Sequence, residues 1–93
     1  MHSYTFRTYP LEEAFRAARQ FGWGGIELQP CHFNLENIAA ELPRCIEVGK
    51  SYGVPIVCVD FGGDFINENP QVVAESVAAV EMVIETCARY GVH

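Results

Sequence analysis

The sequence predicts an α/β chain of three consecutive βα units with parallel strands, an arc of an incomplete (β/α)8 barrel. Three observations predict it. A joint recurs as Phe21-Gly22-Trp23, Tyr52-Gly53-Val54 and Tyr90-Gly91-Val92, each time where a helical apolar stripe stops. Gly22 and Gly53 stand 31 residues apart, and Gly53 and Gly91 stand 38 apart, which suits one strand plus one helix per interval. Short apolar runs follow the first two joints, as strands would. Finally, Arg7-Thr8-Tyr9-Pro10 after the first strand-like run holds no glycine, whereas dinucleotide-binding and P-loop folds place a glycine-rich turn there. A closed barrel takes roughly 250 residues, so 93 residues in three units are expected to be part of one, cut where a fourth strand would start at Val92-His93. A flavodoxin-like open sheet with an anion at the Gly62-Gly63 loop is the other parallel architecture.

Taken in order, His2-Ser3-Tyr4-Thr5-Phe6 is aromatic and β-branched and reads as the first strand. Pro10 suits the head of a helix, where Glu12 and Glu13 meet the positive end of the dipole. Leu11, Ala14, Phe15, Ala18 and Phe21 then form one stripe. Glycine past the helix end adopts the left-handed conformation that satisfies the last carbonyls. Ile26-Glu27-Leu28-Gln29 alternates, so Glu27 and Gln29 point away from whatever buries Ile26 and Leu28. That face either lines a polar cavity or uses Glu27 to tie strands together. Asn34 caps a helix with the stripe Leu35, Ile38, Leu42, Cys45, Gly49, Tyr52, which Pro43 is expected to kink or break. Pro55 to Asp60 is the third strand. Asn69-Pro70 opens the last helix, with Val73, Val77, Val80, Ile84 and Cys87 on its stripe.

Composition narrows the function classes. With 49% apolar and 19% charged residues, the chain is expected to pack as one small domain. No run approaches the roughly 20 apolar residues of a membrane span, and no basic segment leads into an apolar one at the N-terminus. A soluble, cytoplasmic protein is the expectation. A net charge of -6 supplies no positive field for phosphate backbones, which argues against nucleic-acid binding. Cys31, Cys45, Cys58 and Cys87 form no C-x-x-C pair and read as free thiols.

In a parallel α/β fold, the loops leaving the C-terminal strand ends share one rim, and that rim carries the chemistry. Those loops hold Arg7, Tyr9, Gln29, His32, Asn34, Asp60, Asp64 and Asn67. Arg7 suits a planar anion, though a surface arginine beside Glu12 is the plainer reading. Asp60 either faces a ligand or caps the Gly62-Gly63 turn. His32 contacts a ligand or is simply solvated. His2 and Tyr4 share one face of the first strand, of undecided direction.

Ser3-Tyr4-Thr5-Phe6-Arg7, Pro10-Leu11-Glu12-Glu13-Ala14 and Gly25-Ile26-Glu27-Leu28 followed by His32 resemble the N-terminal portion of the sugar phosphate isomerase/epimerase family, which has the xylose isomerase-like TIM barrel. The resemblance implies that residues 1–93 are the first part of a single such domain. It implies a divalent metal (Mn, Mg, Co or Zn) in the full protein, which polarises a sugar carbonyl while a carboxylate moves a proton at the adjacent carbon. The family's ligands lie mostly on later strands, so none is expected to be bound by this chain alone. Glu27, His32, Asp60 and Arg7 become substrate-binding residues for a sugar or sugar phosphate, with no catalytic residue in this stretch. Inosose dehydratases and endonuclease IV-type enzymes share the grouping; the missing second histidine at Asp60-Phe61-Gly62-Gly63 counts against the latter. The other reading is a small non-catalytic α/β module that self-associates into a homo-oligomer through unpaired sheet edges.

Overall fold

Five regular elements follow from these local signals in a computed structural model that describes residues 1–61 and 65–92. The expectations for Gly62, Gly63, Asp64 and His93 lie outside the described residues. Helix α1 (Leu11–Gln20) buries Leu11, Ala14, Phe15 and Ala18, the stripe the sequence marks apart from Phe21, which is exposed. Strand β1 is Ile26–Leu28 and strand β2 is Ile56–Val59. Between them lies helix α2 (Ile38–Tyr52), and helix α3 (Pro70–Tyr90) follows β2. Asn34 and Asn69 accept hydrogen bonds from the backbone N–H groups of Glu36 and Gln71, which satisfies donors that the first helical turn leaves open.

The three joints are one motif. Val54 N–H donates to Gly49 C=O at 3.0 Å and Gly53 N–H to Lys50 C=O at 3.1 Å. Trp23 and Val92 donate in the same way to Ala18 and Cys87, at 2.9 and 2.8 Å. These are Schellman closures, and they require left-handed φ at Gly22, Gly53 and Gly91, which have +71°, +70° and +72°. The break in the second helix does not fall at Pro43. A 3-10 turn at Leu35–Asn37 gives way to α2 at Ile38, and the helix runs through Pro43, forgoing one backbone donor.

β1 and β2 are parallel, with Glu27 opposite Cys58 and Leu28 opposite Val59. Ile26, Leu28 and Ile56 point into a core shared with Phe15, Ile38, Leu42 and Cys45. Gly49 lets α2 close on this core, because a Cβ there would lie 2.6 Å from the Val54 carbonyl oxygen and 2.9 Å from the Phe15 ring. Helix α3 packs on α2 and on the Leu35 turn. Its buried positions are Val83 and Thr86, with Thr86 Oγ1 donating to the Met82 carbonyl at 2.7 Å.

The three-unit reading is thereby corrected. The molecule is mostly helical with a two-stranded sheet among the described residues, which are not three consecutive parallel βα units of a (β/α)8 barrel. The missing strand is the first one. Met1 and His2 do run parallel to β1: Met1 N donates to Gly25 C=O at 3.0 Å, Glu27 N–H to Met1 C=O at 2.7 Å, and His2 bridges Glu27. The next rung would be Gln29 N–H to the Ser3 carbonyl. That proton goes instead to Ser3 Oγ at 2.9 Å. A side chain has replaced a backbone acceptor, so the chain is released to coil, and Ser3–Phe6 forms a 3-10 turn. The β-branched and aromatic content of His2 to Phe6 describes a strand that this local competition ends after two residues.

Candidate functional site

One face of the sheet is covered by helices, and the other carries the polar groups. Glu27 points to the uncovered side because its neighbours Ile26 and Leu28 are fully buried on the helical side. Cys58, its cross-strand partner, shares that side and donates its thiol proton to Glu27 Oε1 at 3.8 Å. Burial pushes the Cys58 thiol up in pKa, and the neighbouring Glu27 carboxylate adds to the shift. The group therefore stays a donor. At the end of β2, Asp60 N–H bonds to Leu28 C=O at 2.8 Å, which fixes the backbone of the second carboxylate beside the first. Gln29, a nearly buried residue, turns its amide Nε2 onto Asp60 Oδ2 at 3.0 Å.

His2 completes the group. Its bridge to Glu27 sets the backbone, and its Nε2 lies 3.9 Å from Glu27 Oε2 and 3.7 Å from Asp60 Oδ2. One donor atom from each of His2, Glu27 and Asp60 falls within 4.8 Å of the others. The side chains are 44%, 38% and 50% exposed respectively, so the cluster is open to solvent and its ion pairs add at most about 1 kcal/mol each to stability. The chain thus presents two carboxylates, an imidazole and a carboxamide on one side of a rigid ladder. Such a set accepts hydrogen bonds from hydroxyl groups, donates one from Gln29 or His2, and offers hard oxygen and borderline nitrogen donors to a cation.

Of the four substrate-binding residues the sequence suggests, the structure brings together Glu27 and Asp60. His32 is placed differently. Its Nε2 lies 3.1 Å from both the Phe6 and Tyr9 carbonyls, and its Nδ1 lies 3.2 Å from Ser3 Oγ. Carbonyls only accept, so the network assigns the ring proton to Nε2 and leaves Nδ1 to receive the Ser3 hydroxyl proton. This imidazole straps the coiled N-terminal segment to the loop after β1. Arg7 is exposed, its guanidinium 4.7 Å above the Tyr4 ring and donating to the Tyr4 carbonyl at 3.4 Å. Cys31 Sγ lies 3.3 Å from His32 Nδ1, and burial raises its thiol pKa.

His2 and Gln29 are the residues the sequence leaves unassigned. Gln29 shares Glu27's parity two residues on, a signal already in the alternation of β1. Nothing in the sequence sets the direction of His2, because the Ser3 side-chain rung that fixes it is a tertiary bond. Three hollows lie elsewhere. Hollows of about 450 and 470 Å³ flank Val92 between β2 and α3, and one of about 560 Å³ lies between the Leu35 turn and α3. Their walls are mostly apolar, and none includes His2, Glu27 or Asp60. Polar side chains in the hollows are few, Lys50 in the first and Glu36, Glu75 and Ser76 in the third, whereas the sheet face brings two carboxylates, an imidazole and a carboxamide together, as recognition of a polar ligand needs.

Comparison with family models, with curated proteins and with solved structures finds no match to this chain. Among the described residues, no helix is long and apolar enough to cross a membrane. The class that the fold and site define is an α/β chain with a polar, solvent-open sheet face.

Proposed function

We propose that the open sheet face is a sugar-recognition wall of the kind used by metal-assisted sugar isomerases and epimerases. In this reading Glu27 and Asp60 accept hydrogen bonds from ligand hydroxyls, and Gln29 holds the Asp60 carboxylate in place. The observation that carries it is the convergence of two carboxylates and an imidazole on one ladder, with ligand atoms within 4.8 Å. Proton transfer beside a carbonyl needs a carboxylate within hydrogen-bond reach of the substrate, and both carboxylates are exposed enough to meet one. An uncharged sugar suits the face better than a sugar phosphate. The net charge is -6, and Arg7, the suggested anion anchor, is engaged by Tyr4. No turnover by this chain alone is part of the proposal.

Titrating a ketohexose into the isotopically labelled chain tests it by NMR. Shifts should concentrate at the amides of Glu27, Cys58 and Asp60 and vanish in Glu27→Gln. Shifts confined to the α3 hollows, or none at ~100 mM sugar against the millimolar constants usual for weak sites, would remove the sugar reading.

The second reading, a self-associating α/β module, is favoured by a separate observation. Helix α3 leaves Val77 43% and Ile84 60% exposed on one flank, and β2 has one strand partner among the described residues. Apolar flanks and open edges are common association surfaces. Light scattering at micromolar concentration separates the two: a discrete dimer supports the module, and a monomer removes it.

A further inference from the structure

We propose that His2, Glu27 and Asp60 form a binding site for a divalent transition-metal cation, with zinc the best-matched ion. The inference uses these three side chains only and stands whether or not the face binds a sugar. It also departs from what the family resemblance implies, since that places no metal ligand in this stretch.

The donor set is the first argument. One imidazole nitrogen and two carboxylate oxygens suit zinc, whereas magnesium takes oxygen donors and holds its waters tightly. Three protein ligands with a position left for solvent or substrate is the arrangement of an open zinc site. Geometry is the second. Ligands about 2.0–2.1 Å from a tetrahedral ion lie roughly 3.3 Å from one another. The His2 Nε2 distances of 3.9 Å to Glu27 Oε2 and 3.7 Å to Asp60 Oδ2 therefore need to contract by about half an ångström. The widest separation in the group, up to 4.8 Å, asks for more. Half-exposed side chains supply such movement by small torsional changes.

The third argument is that three segments converge without relying on a flexible loop. Met1 C=O accepts from Glu27 N–H at 2.7 Å, and Leu28 C=O accepts from Asp60 N–H at 2.8 Å. The ladder thus presets all three Cα positions. Two neighbours orient the carboxylates as outer partners do in metal sites. Gln29 Nε2 fixes the Asp60 carboxylate through Oδ2, the oxygen that also faces His2, and the Cys58 thiol holds Glu27 Oε1, which leaves Oε2 turned to His2. The bland account is an imidazole pairing with two surface carboxylates. It explains the proximity of His2 but predicts no preference for zinc and no stoichiometry.

The test is calorimetric titration of the untagged chain with zinc chloride, with magnesium chloride as the control. One zinc per chain is expected, with no saturable magnesium binding. Affinity should fall tenfold or more in each of His2→Ala, Glu27→Gln and Asp60→Asn, and stay unchanged in Cys31→Ser and in Glu85→Gln on α3. Circular dichroism confirms that each variant folds. A measurement on the unaltered chain accompanies it: manganese chloride should broaden the amide signals of His2, Glu27 and Asp60 before any others. Absence of saturable zinc binding, equal binding in the three variants, loss of binding in Cys31→Ser, or broadening centred on α3 would each overturn the proposal. If zinc binds and a ketohexose leaves the zinc-loaded spectrum unchanged, the sugar reading fails and the cation site stands.

Discussion

Ser3 is the residue on which the N-terminal segment turns. Its hydroxyl accepts from Gln29 N–H and donates to His32 Nδ1, while His32 Nε2–H reaches the Phe6 and Tyr9 carbonyls. Two segments, residues 3–9 and 29–32, are joined through one hydroxyl and one ring. Replacing Ser3 by Ala leaves a buried backbone donor without its acceptor, at about 1–3 kcal/mol. Thermal unfolding should show that loss, and hydrogen exchange at the Gln29 amide should quicken by more than at Glu27. Equal protection of Gln29 in the variant would mean that the Ser3 carbonyl can replace the hydroxyl. None of this was legible in the sequence, where Ser3 reads as one polar residue in a strand and His32 as a loop histidine near a ligand. The partners of both lie more than 20 residues away, beyond what local pattern registers.

Legibility is better at the scale of elements, and its failures have physical causes. The cap at Asn34, which opens the 3-10 turn ahead of α2, the helix start at Asn69 and the glycine stops follow from capping chemistry that needs only neighbouring residues. The stripe of α1 holds through Ala18 because the helix has one apolar side, and fails at Phe21, which sits past the helix end and is exposed. The stripe of α3 is right in part. Of the expected Val73, Val77, Val80, Ile84 and Cys87, Val73, Val80 and Cys87 are half-buried and Cys87 packs against the core, whereas Val77 and Ile84 face outward and the fully buried pair is Val83 and Thr86. Apolar residues occur on more than one side of this helix, so periodicity marks two competing faces, and contact with α2 and the Leu35 turn selects between them. Two substitutions separate these faces. Val83→Ala should cost about 2 kcal/mol through a core cavity, measured by denaturant unfolding. Ile84→Ser should leave stability within about 0.5 kcal/mol and should dissociate any dimer seen by light scattering. A reversed pattern would put the core on the outer flank.

For the whole molecule, the recurring joint was read correctly as chemistry and over-read as topology. Three Schellman glycines mark three helix ends, and only the first two are followed by a described strand. The strand that is absent, at His2 to Phe6, follows no joint and was read from its aromatic and β-branched content alone. The parity of β1 was the more reliable guide, because Ile26 and Leu28 inward forces Glu27 outward whatever the larger architecture. That is why the direction of Glu27 could be read from the sequence, while Asp60 was named only for its place at the end of the third predicted strand and His2 needed the tertiary rung. The cation inference and the sugar reading both rest on the same arrangement: Met1 and His2 paired beside β1, and the chain diverted at Ser3.

Scalar couplings transmitted through hydrogen bonds report that arrangement bond by bond in solution. The account predicts a coupling between the Glu27 amide nitrogen and the Met1 carbonyl carbon, and none between the Gln29 amide nitrogen and the Ser3 carbonyl carbon. A clear Gln29-to-Ser3 coupling, with extended-strand signals through Phe6, would contradict it.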